Sequence, residues 1–250
     1  DRTMLGALAS TKDVGIYDQA LKLVNILLTL VTSLGSVMLP RVAHLLATGD
    51  HKAVNKMHEM SFLIYNLVIF PMMAGILIVN DDFVRFFLGQ DFQDARYAIA
   101  IMIFRMFFIG WTNIMGIQIL IPHNQNKEFM ISTTAPAIIS VGLNLLFLPK
   151  LGYIGAAIVS VLTEALVWCI QLYFTRVYLK EVHVLGSMTK IALASAIMYG
   201  ILLGLKTVIH FSPTINVIVF AVLGGIIYLF AILSLKVVDV KELKQIIRKN

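Results

Sequence analysis

Seven long apolar segments, separated by short polar breaks, fill almost the whole chain and decide its class. They run over residues 21–45, 61–79, 99–121, 129–148, 153–178, 189–209 and 215–235. A helix rising about 1.5 Å per residue crosses a hydrocarbon core of about 30 Å in roughly 20 residues, the length of these segments. Membrane β-barrel strands alternate in polarity at every residue, so continuous apolar runs exclude that architecture. Composition agrees: 59% of residues are hydrophobic and 14% charged, and mean hydropathy is +0.87, outside the range of a soluble domain. The expected fold class is therefore all-α, a polytopic membrane bundle of about seven transmembrane helices.

Charge placement predicts the orientation. Lys52 and Lys56, Lys127, then Arg176, Lys180 and Lys190, and the tail Lys236, Lys241, Lys244, Arg248 and Lys249 fall in alternate breaks. Cationic loops stay cytoplasmic, so these breaks and the C-terminus are expected inside and the N-terminal end outside. The intervening breaks carry Asp81, Asp82, Asp91 and Asp94, though Arg85, Arg96 and Lys150 dilute the contrast. The net charge of +6 thus reads as topology, and nucleic-acid binding is excluded because no soluble basic face is present. The chain divides into an outer segment 1–16, seven transmembrane helices over 17–235, and a cytoplasmic basic tail 236–250.

In that tail Val240, Leu243 and Ile247 share a helical face beside Lys244 and Arg248, as in an amphipathic helix on an anionic leaflet. The break 80–95 carries Phe83, Phe86, Phe87 and Phe92 among its acids, and its aromatics are expected at the outer headgroups. The chain begins with Asp1, and its first 17 residues contain neither a cleavable signal nor a complete span. This leads to the expectation of a C-terminal membrane bundle of a longer transporter. The single Cys169 lies in the fifth segment and is expected to be a buried packing residue.

Chemistry-bearing motifs of enzymes are absent: no phosphate-cradling loop, no dinucleotide fingerprint, and no Cys or His cluster at metal-ligand spacing. No cofactor, metal or catalytic residue is expected. Polar residues inside the spans are the informative ones instead. Lys22, Asn25, Thr29, Thr32, Ser33, Ser36 and Pro40 recur at three- and four-residue steps and form one stripe along the first span. Such a stripe is costly against lipid, so it faces either a cavity or other helices. Hydroxyls bonded to their own helix are the competing reading.

Arg105 stands within the third span among Ile101, Met102, Ile103, Phe104, Met106 and Phe107, with Thr112 and Gly116 on its face. Two readings compete: a forked cation for a phosphate, or a structural pair with a carboxylate. Glu164 is the one acid near the middle of a span, sharing a face with Ala157, Ser160 and Gln171. It is read as a coupling or structural residue, through pairing with Arg105, ion binding, or a protonated carboxyl. Pro71, Pro136 and Pro149 bend or end helices.

Several stretches together resemble polysaccharide repeat-unit flippases of the Wzx type, in the multidrug/oligosaccharidyl-lipid/polysaccharide exporter superfamily. They are Asp1-Arg2-Thr3-Met4-Leu5-Gly6 with Val14-Gly15-Ile16-Tyr17; Val37-Met38-Leu39-Pro40-Arg41; Phe87-Leu88-Gly89 with Asp91-Phe92; and Gly152-Tyr153-Ile154-Gly155-Ala156-Ala157 leading to Glu164. The resemblance implies the second lobe of a two-bundle transporter, helices eight to fourteen. It implies alternating access and passage of undecaprenyl-pyrophosphate-linked oligosaccharide from the inner to the outer leaflet of a bacterial plasma membrane. Capsule, O-antigen or exopolysaccharide synthesis would be served. The implied partners are the lipid carrier, membrane lipids, the N-terminal bundle, and polymerase and chain-length proteins. Lys22 and Arg105 would hold the anionic carrier, with Asn25, Thr29, Thr32, Ser33 and Thr112 lining the cavity. Rival readings are a multidrug or other lipid-precursor exporter of that superfamily, and an integral-membrane glycosyltransferase or polymerase.

Overall fold

The computed structural model of the chain describes residues 2–209 and 211–237, apart from the side chains of residues 34–37. Nearly all of the basic tail, the Ser36 side chain of the polar stripe and Asp1 lie outside the described residues. The elements are helices α1 (Arg2–Leu8), α2 (Thr11–Ala47) and α3 (His51–Leu88), then a 3₁₀ turn (Gln90–Phe92). They continue as α4 (Ala95–Met102), α5 (Arg105–Thr112), a π-helical stretch (Asn113–Leu120), α6 (Asn126–Thr175), α7 (Leu185–Lys206) and α8 (Pro213–Ser234). Six stretches of the described residues are long and apolar enough to cross a membrane, α4, α5 and the π-helical stretch counting as one.

The longest stretch is long enough to cross twice. A straight helix of the 50 residues of α6 would measure roughly 75 Å, more than twice the hydrocarbon thickness. At Gly152 the backbone turns to φ 52°, ψ −131°, a conformation open to glycine and strained for any side chain. The two arms, 126–151 and 153–175, fold back on one another, so that Gln171 Nε2 donates to Ser132 Oγ at 3.2 Å. A methyl group on Gly155 would stand 2.7 Å from the Phe147 carbonyl oxygen, so the arms of the turn are in near contact there. Counting its two arms separately, the described residues hold seven helical stretches of spanning length, the number expected from the sequence.

The ends of the helices sort into two sets. At one end Lys12 meets Asp94 at 3.7 Å, Arg96 meets Asp81 at 3.1 Å, and Lys206 meets Asp82 at 3.5 Å. At the other, Asn55 donates to Glu181 at 2.8 Å and the His183 amide to Glu59 at 2.8 Å. Residues from alternate breaks therefore share an end, as the charge pattern requires. Arg96, which blurred that pattern in the sequence, is neutralised by its partner.

Helix α2 begins ten residues before the apolar run, because Ser10 and Asp13 form a reciprocal capping box. Asp13 also accepts from the Tyr153 amide at 3.4 Å, joining the start of α2 to the start of the second arm of α6. Burial pushes this carboxyl up, but the Ser10 and Tyr153 hydrogen bonds and nearby Lys12 outweigh it and hold Asp13 below the usual carboxylate range. The junction is thus fully formed above the unfolded carboxylate pKa of about 3.9 and weakens as pH falls through the lower folded value.

Two expectations need correction. The break 80–95 is no flat interfacial segment: α3 continues to Leu88, and Phe83 and Phe92 pack on the core while Phe86 and Phe87 stay exposed. Cys169 is exposed on α6 and is no buried packing residue among the described residues.

The main core gathers α1–α5, the π-helical stretch and α6 around Phe62, Tyr65, Ile69, Met102, Met106 and Ile114. A second core, with Val79, Met198, Leu202 and Phe220, packs the α7–α8 hairpin on α3.

Two outcomes test this fold. In a Cys169→Ala background, single cysteines at Gln90 and Ser212 should label from one side of intact cells. Those at Asn55, Asn126 and Gly186 should label only after permeabilisation; labelling of Asn126 with the first pair would refute the hairpin in α6. Gly152→Ala places its methyl 2.8 Å from the Asp13 carboxylate as well as straining the backbone. It should cost about 1–3 kcal/mol, read as a lower melting temperature in detergent.

Candidate functional site

The third span is the least regular helix and carries the intramembrane cation. Between α4 and α5 the backbone tightens, with Phe104 N–H bonding Ile101 O at 3.3 Å and Met106 N–H bonding Ile103 O at 3.1 Å. These are three-residue closures inside a run of α-helix, and the π-helical stretch follows eight residues later. Arg105 opens the short α5 between the two irregularities.

Its guanidinium Nη2 lies 3.2 Å from Glu164 Oε1, with the side chains 14% and 22% exposed. The two residues singled out separately in the sequence thus form one ion pair, 59 positions apart. Around them stand Tyr17 of α2, within the field of Arg105, and Ser160, one turn before Glu164, facing Tyr17. Arg105 Nε and Nη1 are buried without a hydrogen-bond partner. One of the five guanidinium N–H donors is therefore committed to Glu164, and the three on Nε and Nη1 stay available inside the bundle. Aromatic rings close the space beyond: Phe108 and Trp168 lie 5.9 Å apart, and Phe107, Trp111 and Trp168 are in mutual contact. Phe107, Trp111 and Trp168 border an apolar cavity of about 590 Å³ that also takes in Phe62, Leu172 and Met188.

Thr112 donates to the Ile109 carbonyl at 3.2 Å, so its hydroxyl is spent within α5. Gly116 lies against Phe129 and Gln171, where a methyl group would meet ring and amide at 2.6 and 3.0 Å. The face of Arg105 is accordingly packed on the second arm of α6.

The polar stripe occupies a different surface. Leu23, Val24, Leu28 and Val31 face the core, whereas Lys22, Asn25, Thr29 and Ser33 are exposed and Thr32 is half-buried. Thr29 donates to Asn25 O at 2.9 Å, Thr32 to Leu28 O at 3.1 Å and Ser33 to Leu30 O at 3.0 Å. Their hydroxyl protons are thus satisfied by their own helix, which leaves Lys22 and the Asn25 amide as the stronger groups on this face. Lys22 has no carboxylate within 4 Å among the described residues. It lies five residues from Tyr17, a rotation of about 140°, so the stripe and the Arg105 pair sit on separate faces of α2.

A buried polar seam between α3 and the third span escaped the sequence reading. Tyr65 donates to Asn113 at 2.7 Å, Trp111 to Asn66 at 3.0 Å and Ser61 to the Gln118 side chain at 2.7 Å. His58 Nε2 lies 3.3 Å from the Gln118 carbonyl oxygen. Pro122, four residues after Gln118, has no N–H to offer that carbonyl, and the imidazole supplies one from the neighbouring helix. A proline four residues after a polar residue was the signal available. Nearby, His51, Asn55, His123, Lys180 and Glu181 enclose a polar cleft of about 250 Å³ with His58. No group of three metal-ligating side chains is present among the described residues.

Residues 1–97 match a family described as polysaccharide biosynthesis protein. Over 99% of its length the chain is 21% identical to a Haloferax volcanii protein named as a low-salt glycan biosynthesis flippase, covering 52% of that protein. It is 27% identical over 69% of its length to an Escherichia coli protein named as an O-antigen transporter, covering 41% of it. The solved structure of the lipid II flippase MurJ in an inward closed conformation superposes with a TM-score of 0.76 at 17% identity, over 88% of this chain and 46% of that one. The sequence matches fall on proteins named for polysaccharide or glycan biosynthesis and transport, and the bundle shares its fold with part of the MurJ chain. This chain is a multi-pass membrane protein. It spans about half the length of the curated relatives it matches.

The ion pair makes a direct prediction. Arg105→Gln and Glu164→Gln should each destabilise the inserted protein by about 1.5–3 kcal/mol, the worth of a charged hydrogen bond. The double substitution should cost less than the sum, because neither leaves a buried charge alone. Additive losses in a denaturation cycle would reject the pairing.

Proposed function

We propose that the chain is one lobe of a Wzx-type flippase that carries lipid-linked oligosaccharides across the membrane by alternating access. The observation that carries the reading is the outward polar stripe of α2. A bundle bathed in lipid on every side would have no use for exposed Lys22 and Asn25 at membrane depth, whereas a lobe bordering an aqueous cavity would. The relatives named as glycan flippase and O-antigen transporter support the substrate class.

In this reading the cargo is an undecaprenyl-pyrophosphate-linked repeat unit, moved from the inner to the outer leaflet of a bacterial plasma membrane for capsule, O-antigen or exopolysaccharide synthesis. An N-terminal bundle supplies the opposite cavity wall, with polymerase and chain-length proteins downstream, and the C-terminus is cytoplasmic. The pyrophosphate meets Lys22, while Asn25 and the lone pairs of the stripe hydroxyls meet glycan hydroxyls. The Arg105–Glu164 pair holds the wall in shape. A phosphate reaching Arg105 would find its uncommitted Nε and Nη1 donors.

The test is passage of a fluorescent lipid-linked oligosaccharide in vesicles containing the complete transporter. Lys22→Ala should slow flipping about tenfold, matching about 1.4 kcal/mol of lost charge-assisted binding, with insertion unchanged. Efflux of cationic drugs without glycan flipping would overturn the assignment in favour of a multidrug exporter.

A further inference from the structure

Helix α3 contains Pro71 in its middle, so the carbonyl of Leu67, one turn earlier, has no N–H to accept from within the helix. The pyrrolidine ring also crowds that carbonyl and turns it sideways out of the helix. In hydrocarbon no water is available to satisfy it. The Tyr228 hydroxyl of α8 donates to Leu67 O at 2.9 Å. Tyr228 is 8% exposed, so this bond is closed off inside the packed hairpin.

A second attachment lies on the far side of the same proline. Asp82 accepts from Asn216 Nδ2 at 3.1 Å and pairs with Lys206 at 3.5 Å. Lys206 Nζ also donates to the Ile78 carbonyl. Asn216 in turn receives the Phe211 amide at 3.2 Å, which fixes the turn between α7 and α8. The hairpin therefore grips α3 at Leu67, before Pro71, and at Ile78 and Asp82, after it. From Leu67 to Asp82 is about 22 Å of helix.

Packing alone does not set the angle between those grips. Pro71, Gly75, Gly224, Gly225 and Tyr228 border an apolar groove of about 580 Å³ at the bend, so protein side chains leave room for α3 to change its curvature there. The directional bonds remain.

We propose that the α7–α8 hairpin is a brace that fixes the bend of α3 at Pro71, with Tyr228 as the positioning residue that ties the inner half to α8, on the side opposite the bonds of Ser61, Tyr65 and Asn66 to the third span. A bar fastened on both sides of a joint stops the joint from opening, and one loose fastening frees only its own side. Losing the Tyr228 hydroxyl should release the segment 51–70 from α8 and leave the outer half anchored through Asp82. The brace stands on this geometry whatever the cargo is.

The test uses the full chain in lipid nanodiscs, with Cys169→Ala and spin labels on exposed positions. One pair, Lys56 and Leu233, reads the inner side; another, Phe86 and Thr214, reads the outer side. The inner arm from Pro71 to Lys56 is about 22 Å long, so each 10° of bending moves its end by about 4 Å. Tyr228→Phe keeps the ring and removes only the donor. It should shift or broaden the inner distance by about 4 Å or more and leave the outer distance unchanged. Pro71→Ala returns an N–H to the Leu67 carbonyl, and in that background Tyr228→Phe should have no effect. An unchanged inner distance overturns the brace. So does an equal change in both backgrounds, which would make Tyr228 a packing residue, or a matching shift on the outer side, which would mean the whole hairpin had come away.

Discussion

Hydrocarbon offers no partner to a bare N–H or C=O, and that obligation shapes this bundle more than any other. Unbroken helices meet it automatically, which is why long helices make up the described residues. The consequential places are those where a residue removes a backbone donor. Pro71 and Pro122 each orphan a carbonyl four residues earlier, and in both cases a polar side chain from a neighbouring helix takes over: Tyr228 for Leu67, His58 for Gln118. Each repair binds two helices with a directional bond where greasy contacts alone would let them slide. Proline here converts a local loss into long-range connectivity.

Side-chain charges follow the same logic at higher cost. Asp82 and Lys206 meet near the C-terminal end of α3, and Arg105 meets Glu164 inside the bundle. An isolated ion at that depth would be far more costly than an unpaired carbonyl, so each is held by an opposite partner. Among the described residues, Lys12–Asp94, Arg96–Asp81 and Lys206–Asp82 join elements that are distant in sequence or separated by a turn at one end of the bundle. They seal the helix ends and leave the apolar middles to packing.

Much of this was legible in the residues themselves. The apolar runs gave the crossings, and Pro149 with Gly152 marked the point at which α6 reverses. The early start of α2 was missed, because the polar character of 11–20 hid the capping box of Ser10 and Asp13. Charges at Asp81, Asp82 and Arg85 looked like a break because a single sequence does not show partners; with Arg96 and Lys206 in place the helix runs on to Leu88. The stripe on α2 was visible, but not the side to which it turned, since periodicity gives a face without giving its neighbour. Arg105 and Glu164 stood out by depth alone, and only three-dimensional proximity makes them one unit. His58 was hidden because a histidine near a helix end looks ordinary until the proline in another helix is considered.

The pairing of Arg105 with Glu164 also bears on how the bundle responds to voltage. One elementary charge moved through a full 100 mV is worth about 2.3 kcal/mol, but a cation and an anion moving together carry no net charge. As it stands the pair is electrically silent, and the field neither drives nor resists its displacement. Replacing Glu164 with Gln would uncover the positive charge of Arg105 and couple the site to the membrane potential. A single carboxylate thus decides whether the field finds anything to act on at this depth.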